Sequence, residues 1–214
     1  EPVMLEKFLE NVDAEKKEIY YITAKMSLSM LKNSPALERF KAKGIDVLVL
    51  NEEIDTIVFP MVSEYKEYKF VNVTDAKLEA SEEEKKEQEE KAKGLESFTA
   101  QLENALGEKV KKVETTFDLT ESAVCLKIDK EDPGYMMAQM MKQFGQGGDV
   151  PAPKPILQIN PNHELIKKLS DSADMNLIED AAHVLLDQAK MYEGETLEDT
   201  AGFIARLNRI MAKA

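Results

Sequence analysis

"EIYYITAKMSLSMLKNSPALERFKAKGIDVLVL", residues 18–50, decides the fold class. Its opening "EIYYITA" (18–24) is a β-branched and aromatic run, suited to a pleated, packed surface, and predicts a strand. Ser34-Pro35 then supplies an N-cap and a proline whose fixed φ suits a first helical turn, and the helix runs to Gly44, a C-terminal stop. "IDVLVL" (45–50) follows as a continuous apolar run, the pattern of a strand buried on both faces. Strand, helix, strand implies parallel pairing through a right-handed crossover. The class is therefore α/β, grading into α+β along the chain.

Outward from this unit, "EEIDTIVFPMVSEY" (52–65) predicts a second helix, kinked or shortened at Pro60, and "YKFVNVT" (68–74) a third strand. "EEEKKEQEEKAK" (82–93) carries ten charges in twelve residues and no apolar stripe. It reads as a solvated helix bridging two packed regions, with Glu-to-Lys pairs one turn apart. A stripe of Leu95, Phe98, Leu102 and Leu106 follows, closed by Gly107, and marks the boundary of a second unit. There "VKKVETTF" (110–117) and "AVCLKI" (123–128) alternate around a polar turn and predict a hairpin. "ILQIN" (156–160) is a further strand, and Asn160-Pro161 opens a short helix over "PNHELIKKL".

Two amphipathic helices close the chain, one with Leu177, Ile178, Ala181, Val184, Leu185 and Ala189, the other with Phe203, Ile204, Leu207, Ile210 and Met211. Burying one large apolar side chain stabilises by roughly 1.5–3 kcal/mol. Leaving such a stripe in water forgoes on the order of 10 kcal/mol, comparable with a domain's whole stability. Either the chain's own sheet covers these faces, or the same helices of a second copy do, in a four-helix bundle about a two-fold axis.

The net charge of −13 over 214 residues argues against nucleic acid and against anionic membranes, both of which require clustered Lys and Arg. No apolar run approaches the ~20 residues needed to span a bilayer. One cysteine, Cys125, cannot form an internal disulfide and suits a reducing compartment, so the Asn72-Val73-Thr74 sequon is expected to be inert. The first residue is Glu, which reads as a fragment of a longer protein. Catalytic chemistry finds few residues. His163 is placed to cap or pack, His183 sits among apolar helical neighbours, and Cys125 lies in an apolar strand. There is no HExxH, paired CxxC or EF-hand pattern, and "GQGGD" lacks the Lys-Ser/Thr of a phosphate loop. No metal site and no enzyme is expected in this chain.

"DPGYMMAQMMKQFGQGG" (132–148) is the most unusual segment. Met136, Met137, Met140 and Met141 fall within six residues, fenced by Pro-Gly on one side and glycines on the other. On a helix, Met136, Met140 and Phe144 share a row, with Met137 and Met141 beside it. The stripe either packs into the local core or stands out as a soft, adaptable apolar face for partners of varied shape. Well-specified cores favour Leu, Ile and Val over Met, and the flanking Pro-Gly and glycines read as hinges.

"KEIYYITA", "LERFKAKGIDVLVLNEEID", "ILQINPNHELIKKL" and "TLEDTAGFIARLNRIM" resemble the heat-shock protein 90 chaperones, most of all the bacterial HtpG type, and the similarity covers nearly the whole chain. The resemblance implies that residues 1–80 are the end of a middle domain, 81–107 a connector helix and 108–214 a dimerisation and client-binding domain. It implies a homodimer through the last two helices, with Leu177, Ala181, Val184, Leu185, Phe203, Leu207, Ile210 and Met211 at the contact. It implies that Met136, Met137, Met140, Met141 and Phe144 contact non-native client proteins in the cleft between protomers. Ile57 falls on a helix matching a second client surface of bacterial members, but the chain has no Trp, and Ile57 and Pro60 stand where an aromatic and a polar residue are usual. Thr200 replaces a common Pro. ATP and magnesium would bind in a preceding domain, so this chain is expected to hold no cofactor. "RIMAKA" lacks the MEEVD tail of eukaryotic members and an ER-retention signal, which favours a bacterial cytoplasmic setting. The alternative function is a regulatory scaffold docking one dedicated partner through the methionine helix.

Overall fold

Alternation along "EIYYIT" sends Ile19 and Tyr21 to one face and Tyr20 and Ile22 to the other, and all four are buried. A strand covered on both sides belongs at the middle of its sheet, and β1 (Glu18–Thr23) lies there. The structure, a computed structural model, describes residues 4–143 and 153–213. They form two compact units, one of the described residues up to Lys85 together with Asp118–Glu121, the other of Lys86–Phe117 and the described residues from Ser122 onward.

In the first unit α1 (Leu5–Leu9) and β1 are followed by α2 (Leu28–Lys32), α3 (Glu38–Ala42), β2 (Leu48–Leu50), α4 (Asp55–Val58), β3 (Glu64–Tyr65) and β4 (Tyr68–Asn72). The sheet order is β2-β1-β4-β3, with β1 parallel to both neighbours and β3 antiparallel to β4. Tyr20 and Ile22 join Leu31, Leu37 and Phe40 in a core on one face. On the other, the ring of Tyr21 meets Phe59 and Phe70 at 5.4 and 6.2 Å. Ser34 Oγ accepts from the Ala36 N–H at 3.3 Å and opens the turn into α3, and Gly44, at φ +65°, ends it. Residues 118–121 join this unit because the buried Glu38 carboxylate accepts from the Thr120 and Glu121 N–H groups at 2.6 and 2.8 Å.

Two expectations are corrected here. The run at 45–50 is not a strand buried on both faces: only Leu48–Leu50 is strand, and as an edge it is half-buried. The helix expected over 52–65 stops early. Pro60 has no N–H to continue it, so α4 passes into a 3-10 turn, Phe59–Met61, and Glu64–Tyr65 turns back as a hairpin with β4. The hairpin bends at Lys66 and Glu67, both with positive φ (47° and 67°), without the Asn or Gly that would announce such a turn.

The second unit begins within α5 (Glu82–Gly94), a helix with no buried residue. It continues with α6 (Glu96–Leu106), β5 (Lys112–Thr115), β6 (Val124–Lys127), α7 (Pro133–Gln143), β7 (Ile156–Ile159), α8 (Glu164–Ser170), α9 (Met175–Tyr192) and α10 (Thr200–Met211). The expected hairpin of β5 and β6 does not form. β7 lies between them, parallel to β5 and antiparallel to β6. Every residue of "ILQI" is buried, so this segment gains most from the central place. Asn160 locks it there: its N–H donates to Ala123 O at 2.8 Å and its Nδ2 to Ser122 O at 3.0 Å. Phe98, Leu102, Leu157, Ile166, Ile178 and Leu185 are the centre of this core. His163 caps α8, its Nδ1 accepting from the Leu165 N–H at 3.1 Å.

The chain thus has the mixed α/β class read from its sequence, with ten α-helices and two mixed sheets among the described residues. Among those residues no helix is long and apolar enough to cross a membrane. Leu157→Ala, which empties a fully buried site on the central strand, is expected to destabilise the second unit by about 2–5 kcal/mol, read from the shift of its denaturant midpoint.

Candidate functional site

Asp132, Pro133 and Gly134 start α7 rather than hinge it. Asp132 Oδ1 accepts from the Gly134 N–H at 2.8 Å, and Pro133 occupies the first helical position, where its missing N–H costs nothing. This corrects the expectation of a Pro-Gly hinge ahead of the helix. Beyond that cap the usual partition is reversed. Met136, Met137 and Met140 are 60, 60 and 55% exposed, Met141 is half-buried, and the small Ala138 is buried. A stripe that packed into the local core would hide the methionines first. Phe144 lies outside the described residues.

The closing helices use their apolar residues in two ways. On α9, Ala181, Val184 and Leu185 are buried, Ala181 and Leu185 inside the unit's own core, and Leu177 packs half-buried against it. Periodicity identifies these positions as apolar without saying what covers them. On α10 nothing is buried: Phe203, Leu207 and Ile210 are half-buried, Ile204 is 50% and Met211 67% exposed. Ile210 turns toward the core, whereas Ile204, Leu207 and Met211 share the outer row at i, i+3 and i+7. Polar contacts hold α10 on α9. Arg209 donates from Nε and Nη2 to the two oxygens of Asp180 at 2.7 and 2.6 Å, a bidentate pair, and Lys213 reaches Asp174 at 2.5 Å. The Arg209 hydrogen bond holds the Asp180 carboxyl below its ordinary range, and Lys213 does the same for Asp174. Asp199 caps α10 through Gly202 N–H at 2.8 Å, and a Cβ at Gly202 would lie 1.9 Å from Asp199 Oδ2. A side chain at that position would displace the capping carboxylate.

In the first unit, Ile57 is 59% exposed on α4, beside exposed Ile54, Val58, Met61 and Val62. Sequence reading singled out only Ile57 of this group, through the resemblance to a second client surface of bacterial members. The groups with catalytic potential stay dispersed. His183 is half-buried on α9 with Nδ1 3.4 Å from Lys109 Nζ; burial first, then the Lys109 charge, pushes its pKa down. Cys125 lies 3.5 Å from Gln158 Oε1 on the sheet. Among the described residues no three His, Cys, Asp or Glu side chains are arranged to hold a metal ion. What α7 and α10 offer is apolar surface available for burial.

The family model described as "Hsp90 protein" matches residues 1–214. The chain is 67% identical over 214 residues to the "Chaperone protein HtpG" of Sulfurimonas denitrificans, an alignment covering all of this chain and 34% of that protein. The proteins of the same description from Aliarcobacter butzleri and Wolinella succinogenes are 43 and 38% identical, over 98 and 99% of this chain and 33 and 34% of their own lengths. The chain thus spans about a third of the length of these curated relatives.

Proposed function

The chain belongs to the Hsp90 family, and from that premise we propose that it is the dimerising, client-binding part of an ATP-dependent molecular chaperone. One observation carries the reading: three methionines of α7 are more than half exposed while the same helix buries an alanine. Exposed, flexible thioether side chains can repack against apolar segments of many shapes, the requirement for a protein that binds non-native chains. Ile57 and its exposed neighbours form a second candidate client surface on the first unit.

Dimerisation completes the mechanism. α10 has no buried side chain, and pairing its outer row, Ile204, Leu207 and Met211, with that of a second copy would cover it in an isologous four-helix contact. The homodimer would bring two methionine faces to one client, so that the second contact forms at high effective concentration. ATP and magnesium would act in a part of the protein outside these residues, with 1–80 the end of a middle domain, 81–107 the connector and 108–214 the dimerisation domain. The setting is the bacterial cytoplasm.

Light scattering behind size exclusion tests the geometry. The expected mass is twice the 24.1 kDa of the chain and persists on dilution; a stable monomer would remove the cleft. Titration with several unrelated unfolded proteins tests the role. Similar weak affinities support a chaperone, and a single tight partner would overturn it in favour of a scaffold.

A further inference from the structure

The root of α7 carries a charged node that the exposed methionines do not use. Lys111, directly before β5, is held through its backbone, its N–H donating to Pro155 O at 2.8 Å. Its ammonium bridges two carboxylates on the connection into α7, donating to Asp129 Oδ2 at 2.9 Å and Asp132 Oδ2 at 2.5 Å. Each aspartate spends its other oxygen on that same connection: Asp129 Oδ1 accepts from the Glu131 N–H at 3.0 Å and Asp132 Oδ1 from the Gly134 N–H at 2.8 Å. The Asp132 carbonyl, in turn, accepts from the Met136 N–H at 3.0 Å. One lysine thereby ties the start of a sheet strand to the cap and first turn of the methionine helix.

A helix is normally aimed by the side chains it buries. Ala138 is the only buried side chain among those described on α7, and a methyl group supplies little to hold a direction. An isolated surface ion pair would do no better. Here, however, both acceptors are already fixed by backbone hydrogen bonds, so the ammonium closes a rigid frame and not a pair of free side chains. We propose that Lys111 is a positioning residue for α7: its bridge to Asp129 and Asp132 sets the direction in which the methionine face is presented to a client. The proposal rests on the reading of α7 as the client surface. The hydrogen bonds to Asp132 and Asp129 hold the Lys111 ammonium above its ordinary pKa and both carboxyls below theirs, so the frame is fully charged at neutral pH.

The test is a distance between two nitroxide labels in the 214-residue chain, on Met137→Cys and Lys168→Cys in a Cys125→Ser background. The narrow distribution expected for Lys111 is lost in Lys111→Gln and restored in Lys111→Arg, which keeps charge and donors. A Lys111→Gln distribution superimposable on that of Lys111 would overturn the proposal. If Lys111→Gln fails to fold, Asp132→Asn gives the same decision, because it retains the capping oxygen and removes the charge: broadening supports the frame, and an unchanged distribution sinks it. Without labels, Lys111→Gln should bind a carboxymethylated, permanently unfolded protein roughly threefold to tenfold more weakly, through lost preorganisation. A broadened distribution with unchanged affinity would uphold the frame and remove α7 from the client reading instead.

Discussion

Client affinity should fall about 100-fold when Met136→Ser, Met140→Ser and Met141→Ser are combined, with the fold and the proposed dimer retained. Burying a whole methionine side chain is worth roughly 1.5–3 kcal/mol. Met136 and Met140 have somewhat more than half of their surface left to bury and Met141 less, so the three together can contribute about 3 kcal/mol to a complex. That is about two decades of affinity. The same exposure limits the damage to folding. Met136 and Met140 contribute little to the core, and Met141 alone should cost about 1 kcal/mol or less. Anisotropy titration of a labelled unfolded protein reads the first effect and a thermal melt the second. Unchanged affinity would end the client assignment of α7, whereas a large loss of melting temperature would show that the stripe packs inward after all.

This prediction depends on something that periodicity cannot supply. The spacing of Met136, Met140 and Met141 predicts an apolar row on a helix, and the row exists. Whether a row faces a core or water is decided by what the rest of the chain brings against it. The same gap explains α9, where the pattern picks out Ala181, Val184 and Leu185 as apolar but not that the unit's own core takes Ala181 and Leu185. Elements with a strong local signature were legible: the aromatic and β-branched run of β1, the solvated α5, the capped α8 and the long closing helices. Elements settled by competition were not. β5 and β6 flank a polar turn as a hairpin would, yet the wholly buried "ILQI" wins the place between them from some thirty residues further on. The turn at Lys66 and Glu67 lacked any residue that favours positive φ. Lys111 and its two aspartates lie 18 and 21 residues apart in a chain with 41 carboxylates, too many for a pairing to be guessed. Asp132-Pro133-Gly134, by contrast, is an N-cap followed by a first-turn proline, and could have been read as the start of α7.

If α10 pairs with a second copy as proposed, Ile204→Ser, Leu207→Ser and Met211→Ser together should leave the chain monomeric at micromolar concentration, the larger of the two effects. The three residues lie on the outer row of α10, with Ile204 and Met211 at least half exposed, so they contribute little to the chain's own core. In an isologous contact every substitution acts twice. Half the burial value of three large side chains is about 3 kcal/mol per protomer, and hence about 6 kcal/mol per dimer. A weakening of the dimer by more than about 1000-fold follows. α10 itself should remain in place, because the Arg209–Asp180 and Lys213–Asp174 pairs and the inward Ile210 are untouched. Sedimentation equilibrium reads the association, and far-ultraviolet circular dichroism checks that helix content is kept. If α10 is the dimer contact, monomerisation with intact helicity should also remove the avidity of client binding, reducing a two-site titration to the weaker single-site one. A triple variant that stays dimeric would instead place the contact elsewhere on the chain, and the paired methionine faces would lose their geometry.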